Sequence, residues 1–188
     1  MSKQDFCVVD AGPLITLALA GALDVLTAAS DHFQFKVLDI VKIEAGRPDR
    51  PGGKEITDWI DSMKAAGKLD VIDTDIGLVT MTERQTDPYY RIKNAGEHAI
   101  AEWIENGGLK DAHSTIVVYE DNDTRKLLER MTPDADVVAV STRAFLTVGE
   151  SLGFVSDAAA TWDKIHEAAP TRSDRHMQFQ VSTRAPSP

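Results

Sequence analysis

The chain has 188 residues, 43% of them hydrophobic and 27% charged, which is enough for one domain with a substantial core and too little for two ordinary ones. A formal net charge of -10 excludes a nucleic-acid binder that coats phosphates with a broad basic surface, but not an enzyme that meets phosphates through bound cations. The single cysteine, Cys7, excludes an intramolecular disulfide framework and fits a buried thiol in a reducing compartment. The start MSKQD has no signal-peptide pattern, and the longest apolar stretch, Pro13 to Leu23, is too short to span a bilayer. A soluble, cytoplasmic protein with no membrane partner is expected.

In chain order, FCVVD reads as a strand ending in Asp10, and Pro13 suits the first turn of the helix that follows, which Gly21 weakens or ends. QFKVLDIV supplies a second strand-like run through Phe35, Val37, Leu38 and Ile40, with a short helix beginning at Val41 and stopping near Gly46 and Pro48. RPDRPGG is a loop. Ile56, Trp59, Ile60 and Met63 recur at helical steps between Lys54 and Ala66, and Gly67 ends that helix. Leu69 to Ile72 is a short strand, and the polar sequence from there to Arg91 carries no assignment. Ala95 to Asn106 returns to helical spacing through Ala99, Ile100, Trp103 and Ile104, closed by Gly107 and Gly108. A buried strand is expected at Thr115 to Tyr119, a helix at Asp123 to Met131, a strand at Val137 to Val140, and mostly helix from there to Ala169. Strands alternating with helices at this pitch predict an α/β fold with a mainly parallel central sheet flanked by helices. The domain is expected over 1–169, with a carboxyl-terminal extension over 170–188.

Under this reading, carboxylates recur at one edge of the sheet. Asp10 ends the first strand, Glu44 sits in the short helix after the second, Glu97 opens a later helix, and Asp121 follows the strand ending at Tyr119. Converging carboxylates repel one another, so such a cluster commonly holds a cation. An oxygen-only site suits Mg2+ or Mn2+.

The order of these motifs resembles that of PIN-domain proteins, a family that includes the virulence-associated protein C type toxins. VVDAGPLITLA is similar to the family's opening strand, Asp and small-residue turn, and VKIEA to its short Val-x-x-Glu helix. NAGEHAIA is similar to the Gly-Glu opening of its later acidic helix, and VVYEDNDTRKL to the strand and acidic turn that supply a fourth acid, with Arg125 at a position where a basic residue commonly follows. VVAVSTRAFLTVGESLGFV resembles the closing strand, turn and helix of one subgroup, and MQFQVS a later segment of it. The resemblance implies a single PIN-like domain and a metal-dependent endoribonuclease using Mg2+ or Mn2+, in which Asp10, Glu44, Glu97 and Asp121 are both the catalytic residues and the metal ligands. It implies a bound water made acidic enough to attack an RNA phosphodiester in line. It further implies a toxin-antitoxin setting, with a small antitoxin protein or a second copy of the chain as partners beside the RNA. Thr142, after Ser141, matches a hydroxyl position that hydrogen-bonds an acid or the bound water.

The chain departs from the pattern in its cluster of Glu120, Asp121 and Asp123, which leaves the fourth acid open by a residue or two, and in the length of the segment from Arg47 to Arg91. Each acid has a simpler alternative: Asp10 as a helix cap, Glu97 as a complement to a helix dipole, Glu44 as a solvated side chain and Asp121 as part of an acidic turn. Asp121-Asn122-Asp123 lacks the Gly and later Glu of a calcium loop, and the histidines do not pair at zinc-protease spacing. His98 is expected to be exposed, and Trp59, Trp103 and Trp162 to be core anchors rather than stacking platforms for bases. Lys42, Arg47, Arg125 and Lys126 are candidate contacts to RNA, as are Arg172, Arg175, His176 and Arg184 in the tail. The main alternative to an enzyme is a catalytically weak PIN-like module that binds RNA or a protein; a small-molecule phosphatase or transferase on another parallel sheet is the third.

Overall fold

The structure is a computed structural model, and it describes residues 4–131 and 137–170. The first strand, β1 (Gln4–Val9), leads through helices α1 (Ala11–Leu19) and α2 (Asp24–Ala29) to β2 (Gln34–Leu38). Helices α3 (Asp39–Ala45) and α4 (Gly53–Ala65) precede β3 (Leu69–Ile72), and α5 (Asp75–Glu83) and α6 (Ala95–Glu105) precede β4 (Ala112–Tyr119). The chain continues through α7 (Asn122–Met131), β5 (Val137–Ser141), α8 (Thr142–Leu152) and α9 (Ala158–Ala168). All pairings are parallel and the strand order is β3-β2-β1-β4-β5, so this is an α/β fold with an all-parallel central sheet flanked by helices.

The hydrophobic pattern explains which strand lies at the centre. Phe6, Cys7, Val8 and Val9 are consecutive and all buried, as a strand covered on both faces requires. On the edge strand β5, by contrast, Val138 is 57% exposed. Burial pushes the Cys7 thiol far up, so it packs as a small apolar side chain and is not a nucleophile. Trp59, Trp103 and Trp162 are buried, with Trp59 set edge-on to Phe35 and its indole N–H donating to Thr27 Oγ1 at 3.0 Å.

Three local expectations change. Ile40 belongs to α3 and not to the second strand, because Asp39 breaks the pleat there by accepting the Ile40 N–H at 2.7 Å. The first helical segment is two helices: α1 ends at Leu19 and Gly21 takes a left-handed conformation before α2 begins. The unassigned polar stretch contains α5, started by Thr74, whose hydroxyl accepts the Gly77 N–H at 3.0 Å. The tail cations Arg172, Arg175, His176 and Arg184, and the MQFQVS segment, lie outside the described residues.

The topology itself selects one edge for a site. The chain builds β1, β2 and β3 outward in one direction and then returns to place β4 on the other side of β1. Loops leaving the carboxyl ends of β1 and β4 therefore part in opposite directions, and the crevice they leave is where open parallel sheets take ligands. Asp10 follows β1 at this place and Glu120 follows β4.

Candidate functional site

A cavity of about 290 Å3 opens at that crevice, and Asp10, Glu44, Glu97, Glu120 and Asp121 all line it, together with Gly12, Asn94 and Gly96. All four acids expected from the sequence are thus brought to one cleft, and Glu120 joins them.

Asp10 sits where β1 hands over to α1. Its N–H donates to Val118 O at 3.0 Å, continuing the ladder of the sheet, and it occupies the cap position of α1 without making a side-chain capping bond. Its carboxylate lies over α6: a Cβ on Gly96 would stand 3.0 Å from Asp10 Oδ1, tighter than ordinary contact. Burial pushes the Asp10 carboxyl up to about 7; the Ala11 N–H opposes the rise, and the Glu97, Glu44 and Glu120 carboxylates add to it. Asp10 is only partly exposed, so little water reaches it to offset those charges.

Glu44 projects from α3 and is half-buried. Burial raises its carboxyl above the usual range; Arg50 and Arg84 pull it down, Glu97 pushes it up, and Arg91 again lowers it. Arg84 is itself held, donating to Tyr90 O at 3.0 Å and to Ile43 O at 3.5 Å. Glu97 comes from the first turn of α6, where the helix N-terminus favours a negative charge.

The acidic turn after β4 resolves into two different positions. Glu120 is half-buried and accepts the Thr142 hydroxyl on Oε1 at 3.1 Å. Gly12 makes room for it, since a Cβ there would stand 3.0 Å from Glu120 Cβ and 3.1 Å from Oε2. Asp121 also lines the cavity but is exposed. The side chain of Asp123 is outside the described set. The hydroxyl expected to meet an acid, Thr142, is buried and does so through Glu120.

Asn94 is a lining residue that the sequence reading passed over. It is the only non-glycine with positive φ among the described residues, at φ 56, and it takes the cap position of α6 without a side-chain capping bond. Asn is the non-glycine residue that adopts this conformation most readily. Its only trace in the sequence is an Asn directly before Ala-Gly-Glu.

Among the described residues, no group of three or more His, Cys, Asp or Glu side chains is arranged to hold a metal ion. The donors nevertheless fit a hard divalent cation of the Mg2+ class. Such ions bind through one or two protein carboxylates, keep several waters, and complete their shell with substrate phosphates, so they need no closed protein cage. The cleft offers only oxygen donors, and a cation there would offset both the burial of the Asp10 carboxylate and the smaller repulsion from Glu97, Glu44 and Glu120.

Of the basic residues expected to contact RNA, Lys42 pairs with Asp61 at 2.6 Å and Arg47 with Asp49 at 2.5 Å, while Lys126 lies beside His98 on a second cavity next to the cleft. His98 is exposed. Among the described residues no helix is long and apolar enough to cross a membrane.

Fold and cleft together define an α/β protein with an all-parallel five-stranded sheet and an acidic cavity at its topological switch point. No family model matches the chain, and neither the curated proteins nor the solved structures give a match.

Proposed function

We propose that the protein is a metal-dependent endoribonuclease of PIN-like type and, through that resemblance, the toxin half of a toxin-antitoxin pair. The observation that carries the nuclease reading is the meeting of five carboxylates from four separate segments of the chain on one cleft at the switch point of a parallel sheet. A capping or solvating role accounts for each acid alone, but not for their common address.

Asp10, Glu44, Glu97 and the Glu120-Asp121 pair would hold Mg2+ or Mn2+. When bound, the cation supplies an activated water and offsets charge on the leaving oxygen of a phosphodiester. The chain's own contribution is placement. Asp10 is fixed by the sheet ladder and the close approach of Gly96, and Glu120 by Gly12 and the Thr142 hydroxyl. Glu44 is steadied electrostatically by Arg50, Arg84 and Arg91. Partial burial of Asp10, Glu44, Glu97 and Glu120 keeps water from screening the charges that position substrate and cation.

The experiment is cleavage of mixed structured and single-stranded RNAs by purified protein with Mn2+, Mg2+ or chelator, beside Asp10→Asn. Metal-dependent cleavage that disappears in the variant supports the reading. Cleavage equal in both proteins, or none in any metal, overturns it in favour of a binding module.

A further inference from the structure

A second cavity, of about 260 Å3, adjoins the acidic cleft on the side of α7, and Asn94 and Glu97 line both. Its other walls are His98 from α6 and Lys126, Leu127 and Arg130 from α7. The two cavities differ in charge. Five carboxylates and no Lys or Arg line the first, whereas Lys126 and Arg130 face a single carboxylate in the second. In a chain whose net charge is -10, two permanent cations placed next to an acidic cleft are a local reversal of the overall field.

We infer that the cavity between α6 and α7 seats a phosphate of the same polynucleotide strand whose cleaved diester lies in the acidic cleft; this rests on the nuclease reading. A polyanion cannot approach five carboxylates unless cations beside them take up part of its charge, and Lys126 and Arg130 stand where a strand leaving the cleft would pass. Arg130 suits a phosphate by its planar fork of donors, and Lys126 by its compact charge. The amide of Asn94 is not spent on capping α6 and stands on the border of both cavities, so it can bridge the two phosphates. The first turn of α6 adds backbone N–H groups that favour an anion. Leu127 gives the wall an apolar surface for a sugar or base edge. These contacts read the backbone and not the sequence, so they fix the register of the strand without choosing its bases.

The test is fluorescence anisotropy of a labelled single-stranded RNA of about ten nucleotides on the full chain in Mg2+, with Asp10→Asn as the common background so that the probe survives. Lys126→Ala with Arg130→Ala is expected to weaken binding about tenfold and to reduce the slope of log affinity against log salt by roughly 1. Both residues are exposed, so the fold should persist, and circular dichroism checks it. Lys64→Ala with Lys164→Ala removes the same charge from exposed positions that line neither cavity and is expected to weaken binding less than about twofold. Equal weakening by both pairs, or no weakening by the first, overturns the phosphate seat. Cleavage by the chain with Asp10 intact is followed on the same RNA in Mn2+. A difference between the pairs without cleavage keeps the phosphate seat and removes the nuclease reading; cleavage without a difference does the reverse.

Discussion

Two aspartates follow strands of this sheet and open helices, and their surroundings differ completely. Asp39 comes after β2 as Asp10 comes after β1, each behind a run of apolar residues. Asp39 is 6% exposed, and its carboxylate accepts the Ile40 N–H at 2.7 Å, the Thr74 N–H at 3.1 Å and the Thr74 hydroxyl at 2.7 Å. Gly77 lets that carboxylate press onto α5, since a Cβ there would stand 1.9 Å from Asp39 Oδ2. Asp10 receives the Ala11 N–H and then faces Glu97, Glu44 and Glu120. A buried charge surrounded by donors ties elements together, whereas one surrounded by like charges stores an unfavourable interaction that a cation relieves. Under the proposed nuclease reading, Asp39 serves stability and Asp10 serves the chemistry.

The sharpest way to break this contrast is to remove each carboxylate in turn. Asp10→Asn is expected to reduce metal-dependent RNA cleavage by about a thousandfold or more, equivalent to about 4 kcal/mol in the barrier, while leaving the fold intact. The check is single-turnover cleavage with circular dichroism alongside; a variant that keeps a tenth of the activity would end the assignment of Asp10 to the chemistry. Asp39→Ala should act on stability instead. It strands the Thr74 donors in a buried place, at a cost of about 3 kcal/mol in urea unfolding, with cleavage per folded molecule largely retained.

The contrast also has a pH signature. Asp10 moves from an ordinary value of 3.8 to about 7 in the folded chain, so between these values the folded state binds a proton that the unfolded state has released. The stability associated with that proton is fully present below about pH 4 and is lost as pH rises through about 7. In chelator, Asp10→Asn is then expected to be more stable than the unsubstituted chain at pH 8 by on the order of 2 kcal/mol, with the gain vanishing near pH 4. Adding Mg2+ or Mn2+ at pH 8 should raise the Tm of the unsubstituted chain more than that of the variant. A variant less stable at pH 8 would place Asp10 with Asp39 as a structural acid. The smallest effect is expected at Thr142→Val, which removes the hydroxyl donating to Glu120; it should cost about 1 kcal/mol of stability and reduce cleavage several-fold without altering the choice of metal.

Much of the architecture was legible before any coordinates. The strand at Leu69–Ile72 has the bounds its β-branched residues suggest, and the helix from Ala95 has its apolar face and its closing glycines where their spacing puts them. α5 was not legible, because Leu78, Val79 and Met81 are exposed apolar residues that blur any amphipathic stripe. Its start depends on Thr74 and on the Asp39 carboxylate, 35 residues earlier in the chain. Ile40 departs from its local pattern for a related reason: a β-branched residue in an apolar run favours a strand locally, whereas in the fold its N–H bonds the Asp39 carboxylate at the start of α3.

For the candidate site, local sequence determined where the acids stand along the chain: Asp10 at the end of a buried strand, Glu44 and Glu97 in helices, and Glu120 and Asp121 after another buried strand. What it could not determine is which of them face one another. That Glu120 meets Thr142, that Gly12 is the space Glu120 needs, and that Asp39 is ringed by donors where Asp10 faces other carboxylates are all decided by contacts between residues far apart in the chain. The reason is physical: the tendency to form a strand or helix arises from neighbours a few positions away, whereas the energy of a charge depends on whatever the fold brings within a few ångströms of it.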